Sequence, residues 1–495
     1  MTAMRHPLVQ SPTTARILKA LSIFGGVQVL QILCAVIRTK LVAVWIGPVG
    51  VGLMTLYHST MDFLSSTSQL NLRQSAVRDL SIVRDQPEKA ETTTSLVRRL
   101  ALILGVAGLV FVVLASPVIG WFSFGDFDHT LPFVALSAIM ILSAVSSGEM
   151  AIMQGRDRFR ALARTNLYAA VTSSLLAIPI FYFFRLSGIV PVLILFALSN
   201  FVYSLLFTPY RPHVNLKAAC RGWGFIRSRM ADDIRQGRGM IALGAYMTVS
   251  SAVTLLASYV FVAWLNRAHS SATVGYYQAG YTLVNSYIGL IFTSISMEYF
   301  PRLSAMVRNC RRAEVIVSHE IKIILSVLAP VVVVFVCAKE LLVNILYSHS
   351  FDAVIPYISI AIAGTIFRAV SWSLAFVMPA RGDGRIYVVT EVTSSVLYLL
   401  LNIPLYNSFG FAGLGAAYVL WYGAYTILTY LVFRHRYGMR LRRGIWPLIW
   451  TVFAIGCAAL AIDAFAGPWW TALLLLPPSI FLAVRAIRGK KRKKA

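Results

Sequence analysis

The stretch RRLALILGVAGLVFVVLASPVIGWF, Arg98 to Phe122, decides what kind of molecule this is. After its two arginines no charged side chain occurs from Leu100 to Phe122. A hydrocarbon core about 30 Å thick is crossed by roughly 20 apolar helical residues, so this run is long enough to span it. The same texture continues in both directions: 58% of the chain is apolar, 13% is charged and the mean hydropathy is +0.72. A soluble surface of this size would need roughly a quarter charged residues. Apolar runs between charges or Pro/Gly breaks predict spans at 19–46, 50–71, 100–122, 131–154, 164–184, 187–208, 240–265, 274–299, 319–338, 354–378, 386–406, 411–433, 445–465 and 468–485. The expected fold is an all-α membrane protein of about 14 transmembrane helices.

A net charge of +26 could suit nucleic acid as well as a membrane. Position decides against nucleic acid. Of 45 Lys and Arg residues, 39 fall on the N-terminus, the C-terminal tail and the loops that follow even-numbered spans. The opposite loops hold Arg185, Arg267 and Lys339, and Arg38, Lys40 and Arg368 lie within spans. The positive-inside rule then places both termini in the cytoplasm and requires an even number of crossings. The tail RGKKRKKA, Arg488 to Ala495, reads as a topology determinant and anionic-lipid contact. Cys34, Cys220, Cys310, Cys337 and Cys457 are far apart, which argues against a disulfide framework or a metal site. The first apolar segment is too long for a cleavable signal core and is expected to stay as the first span.

A shift of 225 aligns Val145–Gly188 with Val370–Gly413 without a gap. Ser146/Ser371, Met153/Met378, Arg156/Arg381, Thr165/Thr390, Pro179/Pro404 and Gly188/Gly413 coincide. Near the front of each half, a shift of 223 brings Val51-Gly52 onto Val274-Gly275. The chain therefore reads as a duplication: an N-terminal lobe at 1–210, a basic cytoplasmic linker at 211–239, a C-terminal lobe at 240–437, and two further helices with the basic tail at 438–495. Six helices per lobe is an even number, so the repeats are parallel, an arrangement in which transporters hold substrate in a central cavity.

Ionisable groups at membrane depth are costly and generally face a partner or water. Thr55, His58, Asp62, Ser65 and Gln69 recur at steps of three and four, with Arg73 below them. Gln28, Gln31 and Arg38 share a face of the first span, and Glu391, Ser395, Tyr398 and Asn402 share a face of the eleventh. Arg368 stands mid-span in the tenth. The scaffold repeats but these charges do not, since Arg368 corresponds to Ser143 and Asp62 to Asn285. Such asymmetry on a symmetric frame points to function and to a wet interior. Glu149, Glu298 and Glu391 near cytoplasmic helix ends either carry protons or pair with Arg156, Arg302 and Arg385. Lys40 either faces the interior or snorkels beside Trp45.

No GxxxxGK[ST], HExxH or GxSxG signature occurs, so no enzyme activity and no cofactor is expected. RTKLVAVWIGPVGVGLMTLY (Arg38–Tyr57) and GTIFRAVSWSLAFVMPARGDGRIYVVTEV (Gly364–Val392) resemble the Wzx-type oligosaccharide-lipid flippases. These belong to the multidrug/oligosaccharidyl-lipid/polysaccharide exporter superfamily, and the likeness runs from about Arg16 to Tyr437. It implies two six-helix lobes around a cationic cavity in a bacterial inner membrane. It also implies an undecaprenyl-diphosphate-linked oligosaccharide as substrate, with polysaccharide polymerase and chain-length machinery as partners. Lys40 and Arg368 match the family's basic positions and Glu391 its acidic one. On this reading Arg38, Lys40 and Arg368 hold the diphosphate, while Gln28, Gln31, His58, Asn285, Asn402 and aromatic side chains line the sugar path. Asp62, Glu149, Glu298 and Glu391 are the proton-coupling candidates, and Arg73 and Arg302 sit at the cytoplasmic mouth. A drug or cation antiporter of the same superfamily is the competing reading; it would call for acidic rather than basic groups at mid-membrane.

Overall fold

The computed structural model describes residues 12–83, 86–208 and 235–491, apart from 288, 290–291, 293–298, 300–301, 305 and 308. Among the described residues there are helices and turns and no strand. In chain order the helices are α1 (Pro12–Ser68), α2 (Leu72–Ile82), α3 (Pro87–Phe124), α4 (Thr130–Leu136), α5 (Ala138–Gly155), α6 (Phe159–Phe184), α7 (Ile189–Phe207) and α8 (Arg238–Ala268). Then follow α9 (Ser271–Thr282), α10 (Cys310–Leu346), α11 (Ile355–Ala375), α12 (Val377–Arg381), α13 (Gly384–Leu431), α14 (Ile445–Ala466) and α15 (Pro468–Lys491).

Eight helical stretches among the described residues are long and apolar enough to cross a membrane. Two of these, Phe159–Phe207 and Gly384–Arg436, run to 49 and 53 residues. At about 1.5 Å per residue each exceeds twice the hydrocarbon thickness. Each is interrupted where the sequence predicts a loop, by the 3-10 turn Arg185–Gly188 and by Gly410 at φ 58°. α1 breaks in the same manner at Gly47, φ 63°, directly before Pro48. Glycine tolerates positive φ and proline suits a first helical turn, so the pair ends one helix and opens the next.

Two boundaries differ from expectation for one reason. α3 begins at Pro87 rather than at 100, and α10 extends over Cys310–Leu346 rather than 319–338. Charged residues end an apolar run, but a helix satisfies its own backbone and continues into water. α2 falls between two of the predicted spans. It is an amphipathic helix whose Leu72, Ala76 and Leu80 join Val97, Leu100, Ala101, Ala151, Ile152 and Met240 in one core.

Several positions paired by the internal alignment make matching local contacts. Thr165 donates its hydroxyl to Met153 Sδ at 3.8 Å, and Thr390 does the same to Met378 Sδ at 3.4 Å. Ser146 bonds the carbonyl of Ser143, and Ser371 that of Arg368, both at 3.1 Å. Positive φ recurs at Asp157 and Gly382, and again at Arg185 and Gly410, each pair 225 residues apart. The backbone path is thus repeated even where the side chain is not glycine.

The chain forms two compact units, Met1–Ile46 with Tyr57–Ala252, and Gly47–Leu56 with Val253–Ala495. In the second unit α14 and α15 pack on α10, and a largely buried ion pair from Lys339 to Asp463 ties α10 to α14. The segment Gly47–Leu56 belongs to this unit through a close backbone contact. A methyl group on Gly52 would stand 1.7 Å from the Ser271 carbonyl oxygen, and one on Gly275 would stand 2.0 Å from that of Pro48. Gly52 and Gly275 are repeat mates, as are Pro48 and Ser271, so the two close contacts are equivalent positions of the internal alignment. Gly52→Ala is expected to destabilise the detergent-purified protein by about 3 kcal/mol, because overpacking into backbone cannot be relieved by a rotamer change. Gly423, with nothing within 4 Å of such a methyl, is the control. A Gly52→Ala melting curve coinciding with that of Gly423→Ala would contradict the packing.

Candidate functional site

Arg368 lies within α11 of the second unit, surrounded by dipoles and ring faces. Its Nη1 points at the Asn285 carbonyl oxygen at the long distance of 3.5 Å. The guanidinium carbon is 5.3 Å from the Phe292 ring centre and 5.9 Å from that of Tyr422. Tyr281 and Tyr418 complete the surround. The Tyr418 hydroxyl donates to Asn285 Oδ1 at 3.0 Å, and Asn285 Nδ2 donates to the Tyr281 carbonyl at 3.1 Å. Both ends of that amide are satisfied, which holds its backbone carbonyl toward the arginine. Among the described residues no carboxylate comes within ion-pair distance of Arg368. Ring quadrupoles and carbonyls attract a cation without neutralising it.

The first unit presents a different set. Arg38 on α1 lies over the Phe196 ring at 4.5 Å, also without a carboxylate partner among the described residues. Arg38 is within Coulomb range of His58. His58 Nδ1 pairs with Asp62 Oδ2 at 2.8 Å, and the two side chains are 57% and 49% exposed. An ion pair so open inside a membrane span stands against water rather than hydrocarbon.

The polar stripe expected on residues 55–69 therefore divides. His58 and Asp62 are open, whereas Thr55 bonds the Val51 carbonyl, Ser65 meets Met140 Sδ and Gln69 donates to Ser143 Oγ. Asp62, expected to face a partner or water, has His58 as its partner and is 49% exposed. Asn285 and Asn402, expected to line a cavity, are buried at 7% and 3% exposure; Asn402 Nδ2 bonds the Tyr398 carbonyl one turn back.

The acids find partners other than those expected. Glu149 pairs with Arg98 on α3, not Arg156, through Nε to Oε1 and through Nη2 to Oε2 at 2.9 Å. Glu391 accepts from the Tyr425 hydroxyl, not from Arg385. Arg302 pairs with Glu320 at 2.7 Å, so it is engaged in holding α10. The partners lie 51, 34 and 18 residues away along the chain, the Glu391–Tyr425 contact spanning the break in α13 at Gly410. Arg73 and Lys40 are half-buried. Glu298 and the side chains of Gln28 and Gln31 lie outside the described residues.

Phe196, Tyr281, Phe292, Tyr418 and Tyr422 were not singled out from sequence. Tyr418, Tyr422 and Tyr425 form an i, i+4, i+7 aromatic stripe that could have revealed part of the set. The loop Gly125–His129, outside the spans, was missed as well. Its His129 ring stacks on Phe124 at 3.5 Å and shares a 2.6 Å hydrogen bond with the Tyr57 hydroxyl. Burial lowers the His129 pKa below the ordinary histidine value, with Asp126 and Asp128 opposing in part. The folded state thus prefers the neutral ring. This contribution to stability is complete above the ordinary histidine range and is lost as pH falls through that range toward the lowered value. Acidification is expected to lower the melting temperature, and His129→Gln to reduce that dependence. Equal pH dependence in both proteins would refute it.

The sequence profile of a family described as polysaccharide biosynthesis protein matches residues 41–356. The lipid III flippases of Escherichia coli (strain K12) and Shigella flexneri are each 23% identical over 407 residues, covering 80% of this chain and 94% of theirs. A structure of the lipid II flippase MurJ in an inward closed conformation matches with a TM-score of 0.67 at 12% identity, covering 95% of this chain and 99% of that one. An inward-facing multidrug resistance MATE family transporter of the MOP superfamily matches with a TM-score of 0.65 at 13% identity, covering 85% and 96%. At these identities the structural likeness establishes the fold.

Proposed function

Because the chain belongs to the polysaccharide biosynthesis protein family, we propose that it is a Wzx-type flippase for an undecaprenyl-diphosphate-linked oligosaccharide. The cargo is an O-antigen or related surface polysaccharide unit, moved from the cytoplasmic to the periplasmic leaflet of a bacterial inner membrane by alternating access. The apolar runs support fourteen crossings, and the distribution of basic residues supports cytoplasmic termini. The translocated unit would pass to polymerase and chain-length machinery. The relatives and structural neighbours are named for flippases and transporters, and the reading is of a carrier, not an enzyme.

One observation carries the proposal: Arg368 is a mid-span cation without a carboxylate partner among the described residues. A sugar headgroup and diphosphate cannot cross hydrocarbon unaided, since unpaired buried charge is expensive. A guanidinium suits phosphate because its planar fork can donate two parallel bonds. Arg38 supplies a second such group on the first unit, and the open His58–Asp62 pair offers a route for proton coupling. The membrane potential, about 2.3 kcal/mol per charge per 100 mV, is the alternative drive.

The test is reconstitution into sealed vesicles with a lipid-linked oligosaccharide on one face. The headgroup should become accessible to a sugar-specific reagent on the other face at a rate set by the protein. Export of an organic cation with no movement of the lipid would establish the antiporter instead.

A further inference from the structure

We propose that the face of Tyr422, buttressed by Trp421, is a stacking platform for the sugar attached directly to the diphosphate held by Arg368. This rests on the flippase reading and deepens it.

The first observation is how firmly the rings are held. The Trp421 Nε1 donates to the Ser394 carbonyl at 2.9 Å and lies 3.0 Å from its hydroxyl. Trp421 and Tyr422 have ring centres 4.3 Å apart, and Tyr418 packs on Tyr422 at 4.7 Å. Fixed rings lose little freedom when a ligand settles on them.

The second is exposure. Tyr418 and Tyr277 are buried at 3% and 4%, whereas Tyr422 and Trp421 are only half-buried. On α13 the exposed Leu420 and Ile427 mark the outer face, at 52% and 61%. Tyr422, two residues from Leu420, points to the opposite side of the helix. The half-buried Tyr422 is therefore turned away from lipid and toward the Arg368 guanidinium, 5.9 Å from its ring centre.

The third is the repeat. With a shift of 225, Leu193, Phe196, Ala197 and Ser143 occupy the places of Tyr418, Trp421, Tyr422 and Arg368. With a shift of 223, Gln69 occupies that of Phe292, and its bond to Ser143 replaces the contact of Phe292 with Arg368. The fold thus accepts alanine where Tyr422 stands, so packing alone does not demand that ring. At these repeat positions Tyr422 and Arg368 are absent together from the first unit, where Ala197 and Ser143 stand.

The chemistry fits one ligand class. A pyranose has an apolar face of C–H groups that lies flat on an aromatic ring, and its anomeric oxygen is bonded to phosphorus. A phosphate held at Arg368 places that first sugar one bond away, within reach of the neighbouring ring.

Equilibrium binding to the full-length protein in detergent tests this with two probes, a polyprenyl diphosphate and the same lipid bearing one hexosamine. The unsubstituted protein should prefer the glycosylated lipid by roughly fivefold to tenfold, the range an aromatic stack supplies. Tyr422→Leu should weaken binding of the glycosylated lipid several-fold more than that of bare polyprenyl diphosphate and so remove the preference; Tyr422→Phe should retain both affinities. A preference that survives Tyr422→Leu overturns the platform alone. So does equal loss of both affinities in Tyr422→Leu with Tyr422→Phe intact, since Tyr422 then only supports Arg368. If the unsubstituted protein binds neither lipid, the flippase reading falls and takes the platform with it.

Discussion

Arg368→Ala is expected to reduce headgroup translocation by about 100-fold while leaving the melting temperature unchanged or raised. The two parts have one cause. A cation without an ionic partner among the described residues is a cost to the folded protein, so removing it relieves a desolvation penalty. The same group supplies charge-assisted bonds to the phosphate, worth about 3 kcal/mol when lost, or about 100-fold. Arg368→Lys keeps the charge but not the two-pronged geometry, and should fall between the extremes. The measurement is the rate of headgroup exposure per folded molecule in vesicles, with melting in detergent run beside it. Wild-type rates in Arg368→Ala would remove this residue from the site; a collapsed melting temperature would make it structural.

The second large effect is on stability. Glu149→Ala should destabilise the protein by about 3 kcal/mol, because it removes a buried carboxylate held by two bonds from Arg98. Glu149 is 1% exposed and Arg98 19%, so water replaces little of what is lost. The paired substitution Arg98→Met with Glu149→Leu should recover most of the loss, since a packed apolar pair of similar volume serves as well as a buried ion pair. That double variant should also translocate normally per folded molecule. If it folds but does not transport, the carboxylate acts in coupling and the structural role assigned to it fails.

His58 and Asp62 were legible because an i, i+4 pair on one helix is a local fact. Arg368 was legible because a charge mid-span is conspicuous against an apolar background. The partners of Glu149, Glu391 and Arg302 were not, since Arg98, Tyr425 and Glu320 come from elements brought near only by packing. Sequence proximity suggested arginines a few residues away, but Arg156 caps the end of α5 and Arg385 stands in the first turn of α13, neither against its expected acid. The asparagines misled for a related reason. A polar side chain at membrane depth need not reach water when a backbone carbonyl one turn back accepts its donor, as Tyr398 does for Asn402.

Membrane insertion and the internal duplication were settled by the amino-acid order itself, because hydrocarbon selects for long uncharged runs and a repeated backbone keeps its Gly, Pro and Thr positions. Which charges are neutralised inside the protein and which stay available to a ligand was decided only in three dimensions. That outcome depends on distances between helices, and nothing along the chain encodes those distances one residue at a time.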